Sequence, residues 1–306
     1  MLEKEQLERL QVCFPNYSSA MSEADFFFYR TFDPVHFVRL AAQFKLPPYV
    51  SEATGEGKDL IPDNAELFDH TRQSFFRFLR YLSSETLVLL VLSGYPLGPA
   101  PRLMEKLRGS KLNRVFSTLA AGSVPSGYEL FRDGEELKSA DWINVLAFSG
   151  MVEDEEYCRK IVDFVKGECG LLENRDAINA FKHGRIQKSV KGQAFQMHFD
   201  DSAEKRPLLK GMKGAIHWLG WTDKSDETEI AHTLKLGFEE VDDETDYRII
   251  LATGALMTAI AEIRRGRIDG ETSFNVLLPD LEVGCQLNQR MEFNSTTTWP
   301  LKRGEL

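Results

Sequence analysis

The chain has 306 residues, 42% of them hydrophobic and 27% charged, with a formal net charge of −10. That composition excludes a mainly disordered chain and allows one large domain or two ordinary ones. The negative balance excludes broad non-specific nucleic-acid binding, because affinity for a polyanion is built from Lys and Arg that neutralise phosphates. The start, MLEKEQLERLQVCF, is charged from its third residue and lacks an apolar signal region, and the most apolar run, TLVLLVL at 86–92, is too short to span a bilayer. A cytoplasmic protein with no membrane association is expected. Cys13, Cys158, Cys169 and Cys285 show neither C-x-x-C nor Cys/His ligand spacing, so buried free thiols are expected rather than a disulfide framework or a zinc knuckle.

In chain order, residues 1–62 read as an N-terminal extension: a short charged helix, the aromatic segment ADFFFYRTFDPVHFVRLAAQF, and the loop PPYVSEATGEGKDLIPDN. Asp63 or Asn64 can cap a long helix over 63–92, whose apolar stripe runs through Leu67, Phe68, Phe75, Phe78, Leu79, Leu82 and Leu89. Further helices are expected at about 101–121, 135–149 and 153–186, the last broken near Gly170. Short connections between them favour a bundle over 63–192. From 193 to 306 a small antiparallel sheet is expected, with QAFQMHF, GAIHWLGW and EIAHTLKLGF as three strands, together with one more long helix over 243–266. That helix has Asp242 and Asp243 at its N-cap, Ile249, Ala252, Leu256, Ile260 and Ile263 as its stripe, and Arg264 and Arg265 before Gly266 at its end. The covered face of the sheet, with His232, Leu234 and Leu236, is expected to pack against it. The tail from Ser273 reads as strand and irregular structure, and the fold class is α+β.

The stretch RDAINAFKHGRI, residues 175–186, carries the best candidate site. At about 100° per residue, Arg175, Asn179, Lys182 and His183 fall within one arc of a helix, with Ala177, Ile178 and Phe181 on the other side. The plain interpretation is a bundle helix with a wet polar side, whose basic residues complement its C-terminus and whose Gly184 ends it. That interpretation gives no reason for Asn179, a modest helix former one turn before the His. From Lys182 to Phe199 the chain has no acidic residue but carries Lys182, Arg185, Lys188 and Lys191, a basic island in an acidic protein. A second basic run, RLMEKLRGSKLNR at 102–114, has five basic residues against Glu105.

INAFKHG resembles the motif helix of the HEPN superfamily, helical bundles of toxin and antiphage proteins in which an Arg and a polar residue, often Asn, precede a His. Asn179 and His183 match the Asn-x-x-x-His half; Ile178 stands where the Arg is usual, and Arg175 lies seven intervening residues before His183. The same words also resemble a group of uncharacterised bacterial helical proteins with an Asn-x-x-Lys-His-Gly helix end. The resemblance covers roughly 63–192 and the helix after 242. It implies a HEPN-like helical bundle with an inserted small antiparallel sheet, a homodimer, and metal-independent cleavage of RNA or a silent RNA-binding or protein-interaction role in defence or regulation. In the cleaving version His183 would exchange protons with the 2'-hydroxyl and the leaving 5'-oxygen, Arg175 or Arg185 would stabilise charge on the phosphorus oxygens, and Asn179 would orient the imidazole. In the binding version Lys182, Arg185, Lys188 and Lys191 would hold RNA phosphates or an acidic protein partner.

No metal and no cofactor are expected. His198, His217 and His232 lie on three expected strands, but alternation puts His217 and His232 among apolar neighbours and His198 among polar ones. The acidic run EEVDDETD at 239–246 reads as a turn and a helix N-terminus. P-loop, dinucleotide-fold and nucleophile-elbow motifs are missing from the sequence.

Overall fold

The computed structural model describes residues 19–45, 65–94, 104–105, 107, 109–173, 176–182, 186–187, 196–197, 206–207, 215–225, 229–271, 276–281 and 290–300. Its helices are α1 Ser19–Thr31, α2 His36–Lys45, α3 Ala65–Leu92, α4 Ser110–Ala120, α5 Ser139–Phe148, α6 Glu155–Leu172, α7 Asp176–Lys182 and α8 Asp243–Asp269. Its strands are β1 Phe131–Arg132, β2 Glu135–Glu136, β3 Ile186–Gln187, β4 Gln196–Met197, β5 Arg206–Pro207, β6 Ala215–Ser225, β7 Glu229–Glu240 and β8 Arg290–Pro300. The fold is α+β, and none of the described helices is long and apolar enough to cross a membrane. The chain divides into two compact units, one of residues 1–43, 79–173 and 247–286 and the other of 44–78, 174–246 and 287–306.

The first unit is helical. From Leu87 to Leu92 every residue of α3 is buried, so this part of the helix is covered on all sides rather than along one stripe. All five apolar positions expected on α8, Ile249, Ala252, Leu256, Ile260 and Ile263, are buried. The segment read as an N-terminal extension places Tyr29 and Ala41 in the same core. α8 does not stop at Gly266 but runs on to Asp269, and the closing turn is made by Gly270 at φ 82°. There the amide of Glu271 bonds the Gly266 carbonyl and that of Gly270 the Arg267 carbonyl, a left-handed cap that satisfies carbonyls left over at the helix end. Arg264 and Arg265 are therefore not terminal charges of α8. Arg264 donates to the Tyr29 hydroxyl, to Ser93 Oγ at 2.6 Å and to the Leu146 carbonyl at 2.9 Å; Arg265 donates to the carbonyls of Tyr29 and Phe32.

Two helix starts also differ from expectation. The helix expected over 101–121 begins, in its main part, at Ser110. The one expected from 135 begins at Ser139, because Asp133 and Gly134, both at positive φ, turn a tight hairpin between β1 and β2. The helix expected over 153–186 does break close to Gly170, though past it: α6 ends at Leu172 and α7 starts at Asp176, and the full burial of Cys169 and Leu172 carries α6 through the glycine against the roughly 1 kcal/mol that glycine costs a helix. At its start Asp154 accepts the Tyr157 amide at 3.0 Å, an ordinary N-cap.

The second unit holds an antiparallel sheet of order β3-β6-β7-β8. β6 and β7 are the two long strands that alternation predicts. Of the expected strand QAFQMHF the structure describes Gln196–Met197, and these two residues pair with β5 in a separate ribbon rather than with β6. The remaining long strand comes from the tail, with Ile230 opposite Trp299 and Phe238 opposite Met291. Leu234, expected on the covered face, is 39% exposed, whereas Phe238, Glu239 and Val241 are buried. Alternation reports a two-faced strand but not how far along it the cover extends, and a twelve-residue strand is roughly 40 Å long. The side chains of His232 and Leu236 lie outside the described residues.

Candidate nucleic-acid interface

Helix α7 has seven residues and two distinct sides. Ala177, Ile178 and Ala180 are buried, while Asn179 and Lys182 are exposed. The helix is tied to α3 by Phe181, whose half-buried ring stacks on that of Phe78 with centroids 4.1 Å apart and planes 13° from parallel. A stacked pair of this kind adds about 0.5–1.5 kcal/mol to the burial of the two rings. Beyond α7, Ile186 and Gln187 form β3, which pairs with Trp218 and His217 at the edge of the four-stranded sheet. The basic stretch thus leads from a helix end into an edge strand. Of the candidate residues, the structure describes Asn179 and Lys182 and puts both on the exposed side; Arg175, His183, Arg185, Lys188 and Lys191 lie outside the described residues.

The acidic run 239–246 is occupied by arginines. Arg77 donates through Nε to Asp246 Oδ2 at 2.9 Å and through Nη1 to Glu239, all three side chains being buried. Arg72 reaches Asp243 Oδ2 through Nε at 3.1 Å and Nη2 at 2.7 Å, and Thr245 Oγ1 donates to Asp242 at 2.9 Å. Guanidinium groups thus answer the carboxylates of Glu239, Asp243 and Asp246. Among the described residues no group of three or more His, Cys, Asp or Glu side chains is arranged to hold a metal ion, and the side chains of His198, His217 and His232 lie outside them.

A second buried ion pair sits in the helical unit. Arg80 grips Glu168 with Nε to Oε2 at 3.0 Å and Nη2 to Oε1 at 2.5 Å, and Ser84 Oγ adds a bond to Oε2 at 2.7 Å. Sequence reasoning missed both arginine clusters. The available signal was the pair Arg77 and Arg80 in the middle of an apolar helix, since arginines there must be partnered to be tolerated. These clusters fasten elements to one another; their carboxylates are spent on arginine rather than aimed at a reactant.

Tyr29 and Cys158, in the helical unit, are shifted away from reactivity. Burial raises the Tyr29 hydroxyl despite the opposing charge of Arg264. The buried Cys158 thiol is pushed up, first by burial and then by the carboxylates of Asp141, Asp154 and Glu155, the opposite of what activates a nucleophile. The cleft lined by Leu119, Ser139, Trp142, Ile143, Val165 and Lys166 is mainly apolar and offers no acid and base facing each other. Among known proteins, no family model, no curated protein and no solved structure matches the chain.

Proposed function

We propose that this HEPN-like α+β protein binds single-stranded RNA, in the cytoplasm and as a homodimer, through the polar side of α7 and the basic stretch after it. The observation that carries the reading is the two-sidedness of α7: Asn179 and Lys182 face solvent while Ala177, Ile178 and Ala180 anchor the helix. Lys182 opens a run to Phe199 without an acidic residue, so an approaching phosphate meets Lys182, Arg185, Lys188 and Lys191 with no nearby carboxylate in the run. A net charge of −10 repels a polyanion at long range, which makes the contact local and modest in affinity.

The test is a titration of labelled single-stranded RNA by fluorescence anisotropy at several salt concentrations. Affinity should fall with salt at a log–log slope of about −0.7 per phosphate contact, and replacing Lys182, Arg185, Lys188 and Lys191 with Glu should abolish binding. No binding at low salt, or salt-independent binding that survives charge reversal, overturns the reading. An acidic protein captured in place of RNA would move the function to protein interaction.

A second reading makes the same face an endoribonuclease, favoured by the exposure of Asn179 one turn before His183. Cleavage would then persist in chelator, leave a 2',3'-cyclic phosphate and vanish in His183→Ala. Equal cleavage by both proteins removes this version and leaves the binding one standing.

A further inference from the structure

We infer that Phe78 and Phe181 form a stacking platform for a nucleobase of single-stranded RNA, extended by Phe75 one turn earlier on α3 and by Phe44 of α2, which lies over it; this rests on the RNA-binding reading above. All four phenylalanines belong to the second unit, and each keeps part of its surface accessible. They form two pairs. Phe78 and Phe181 are stacked nearly parallel, and Phe44 lies over Phe75 with centroids 4.2 Å apart and planes tilted by 38°. Phe75 and Phe78 are three residues apart on α3 and therefore share a face.

Four partly exposed rings in two pairs are costly to leave beside water, because aromatic side chains carry much of the apolar area that folding hides. A parallel pair continues naturally into a third flat π-surface, and a nucleobase has one. The residue after Phe181 is the exposed Lys182, on the neighbouring flank of the same short helix. An aromatic surface for the base, next to a cation for the phosphate, is how proteins hold single strands with little sequence preference, since every base offers a π-face. A duplex keeps its bases stacked on one another and cannot use such rings. The platform therefore selects single-stranded over double-stranded RNA.

The experiment uses the full chain and a single-stranded oligonucleotide carrying 2-aminopurine. Binding to the wild type should quench the probe. Phe181→Leu and Phe78→Leu keep apolar volume but remove the aromatic face; each should weaken binding about five- to a hundredfold, the range that follows loss of one base–aromatic stack. The quench should go as well, with the salt slope unchanged, and Phe181→Tyr should restore both. Lys182→Ala should do the reverse, making the slope shallower by about 0.7 while the quench stays. Wild-type affinity in both Leu variants, an unquenched probe in the bound wild type, or duplex RNA bound as tightly as single strand overturns the platform and leaves the RNA-binding reading intact. No RNA bound by the wild type at low salt removes both. Should the Leu variants fail to fold, the wild-type quench and the Phe181→Tyr affinity still decide the matter.

Discussion

Tyr157 shows how one side chain ties down a distant segment and how that tie responds to pH. Its hydroxyl donates to the Pro279 carbonyl at 2.6 Å, and its pKa is raised from 10.0 to about 12 by burial, then by the nearby Asp280 and Cys158. A phenol that holds its proton more tightly folded than unfolded stabilises the protein below the unfolded pKa, and that contribution fades as pH climbs through the folded one. The window is therefore about pH 10 to 12. Tyrosinate absorbance should show one tyrosine ionising near 12, a step missing in Tyr157→Phe. Unfolding curves should find the variant less stable by about 1 kcal/mol at neutral pH, the usual net worth of one hydrogen bond, with the gap closing between pH 10 and 12. A gap that stays constant across that range would refute the assignment.

Among elements, Arg80 and Glu168 join α3 to α6, and the worth of that joint is measurable. Removing one partner leaves a buried, uncompensated charge, so Arg80→Met or Glu168→Leu alone should destabilise by about 3–5 kcal/mol in denaturant unfolding. The double variant should recover most of the loss, because an apolar pair of similar volume avoids the desolvation cost altogether. Additive losses would mean that the two side chains do not act as a pair. The same cluster marks where the sequence stops being legible. The stripe Ile249 to Ile263 and the two sides of α7 follow from local period alone, as do the long strands β6 and β7. The partners of Arg77 and Arg80 do not: Glu168, Glu239 and Asp246 lie 88, 162 and 169 residues away, and no local pattern encodes such pairings. β8 was readable only as vague extended structure, because the run Ser295 to Thr298 lacks apolar alternation and its partner strand lies far upstream. At the candidate site the exposed Asn179 and Lys182 were legible from the helical arc. The ring stack of Phe181 on Phe78 was not, since Phe78 read simply as part of an apolar stripe.

At the scale of the whole molecule, neither unit is a continuous stretch of chain. The division falls inside α3, between Phe78 and Leu79, and again inside α8, between Asp246 and Tyr247. A chain truncated after residue 289 loses β8 and leaves β7 with an open edge of unpaired amides and carbonyls, a template for pairing with other molecules. Such a protein should sediment as aggregate where the full chain stays monodisperse or dimeric; a truncated chain that remains well dispersed would show that β8 does not protect that edge. A consequence for biosynthesis follows from the same register. A ribosome adding 5–20 residues per second needs several seconds to make the roughly fifty residues that separate β7 from β8. For that interval each newborn chain carries the bare flank of β7, so crowded polysomes expose many copies of it at once, and a chaperone that shields strand edges would raise the yield of folded protein more than one that accelerates helix formation.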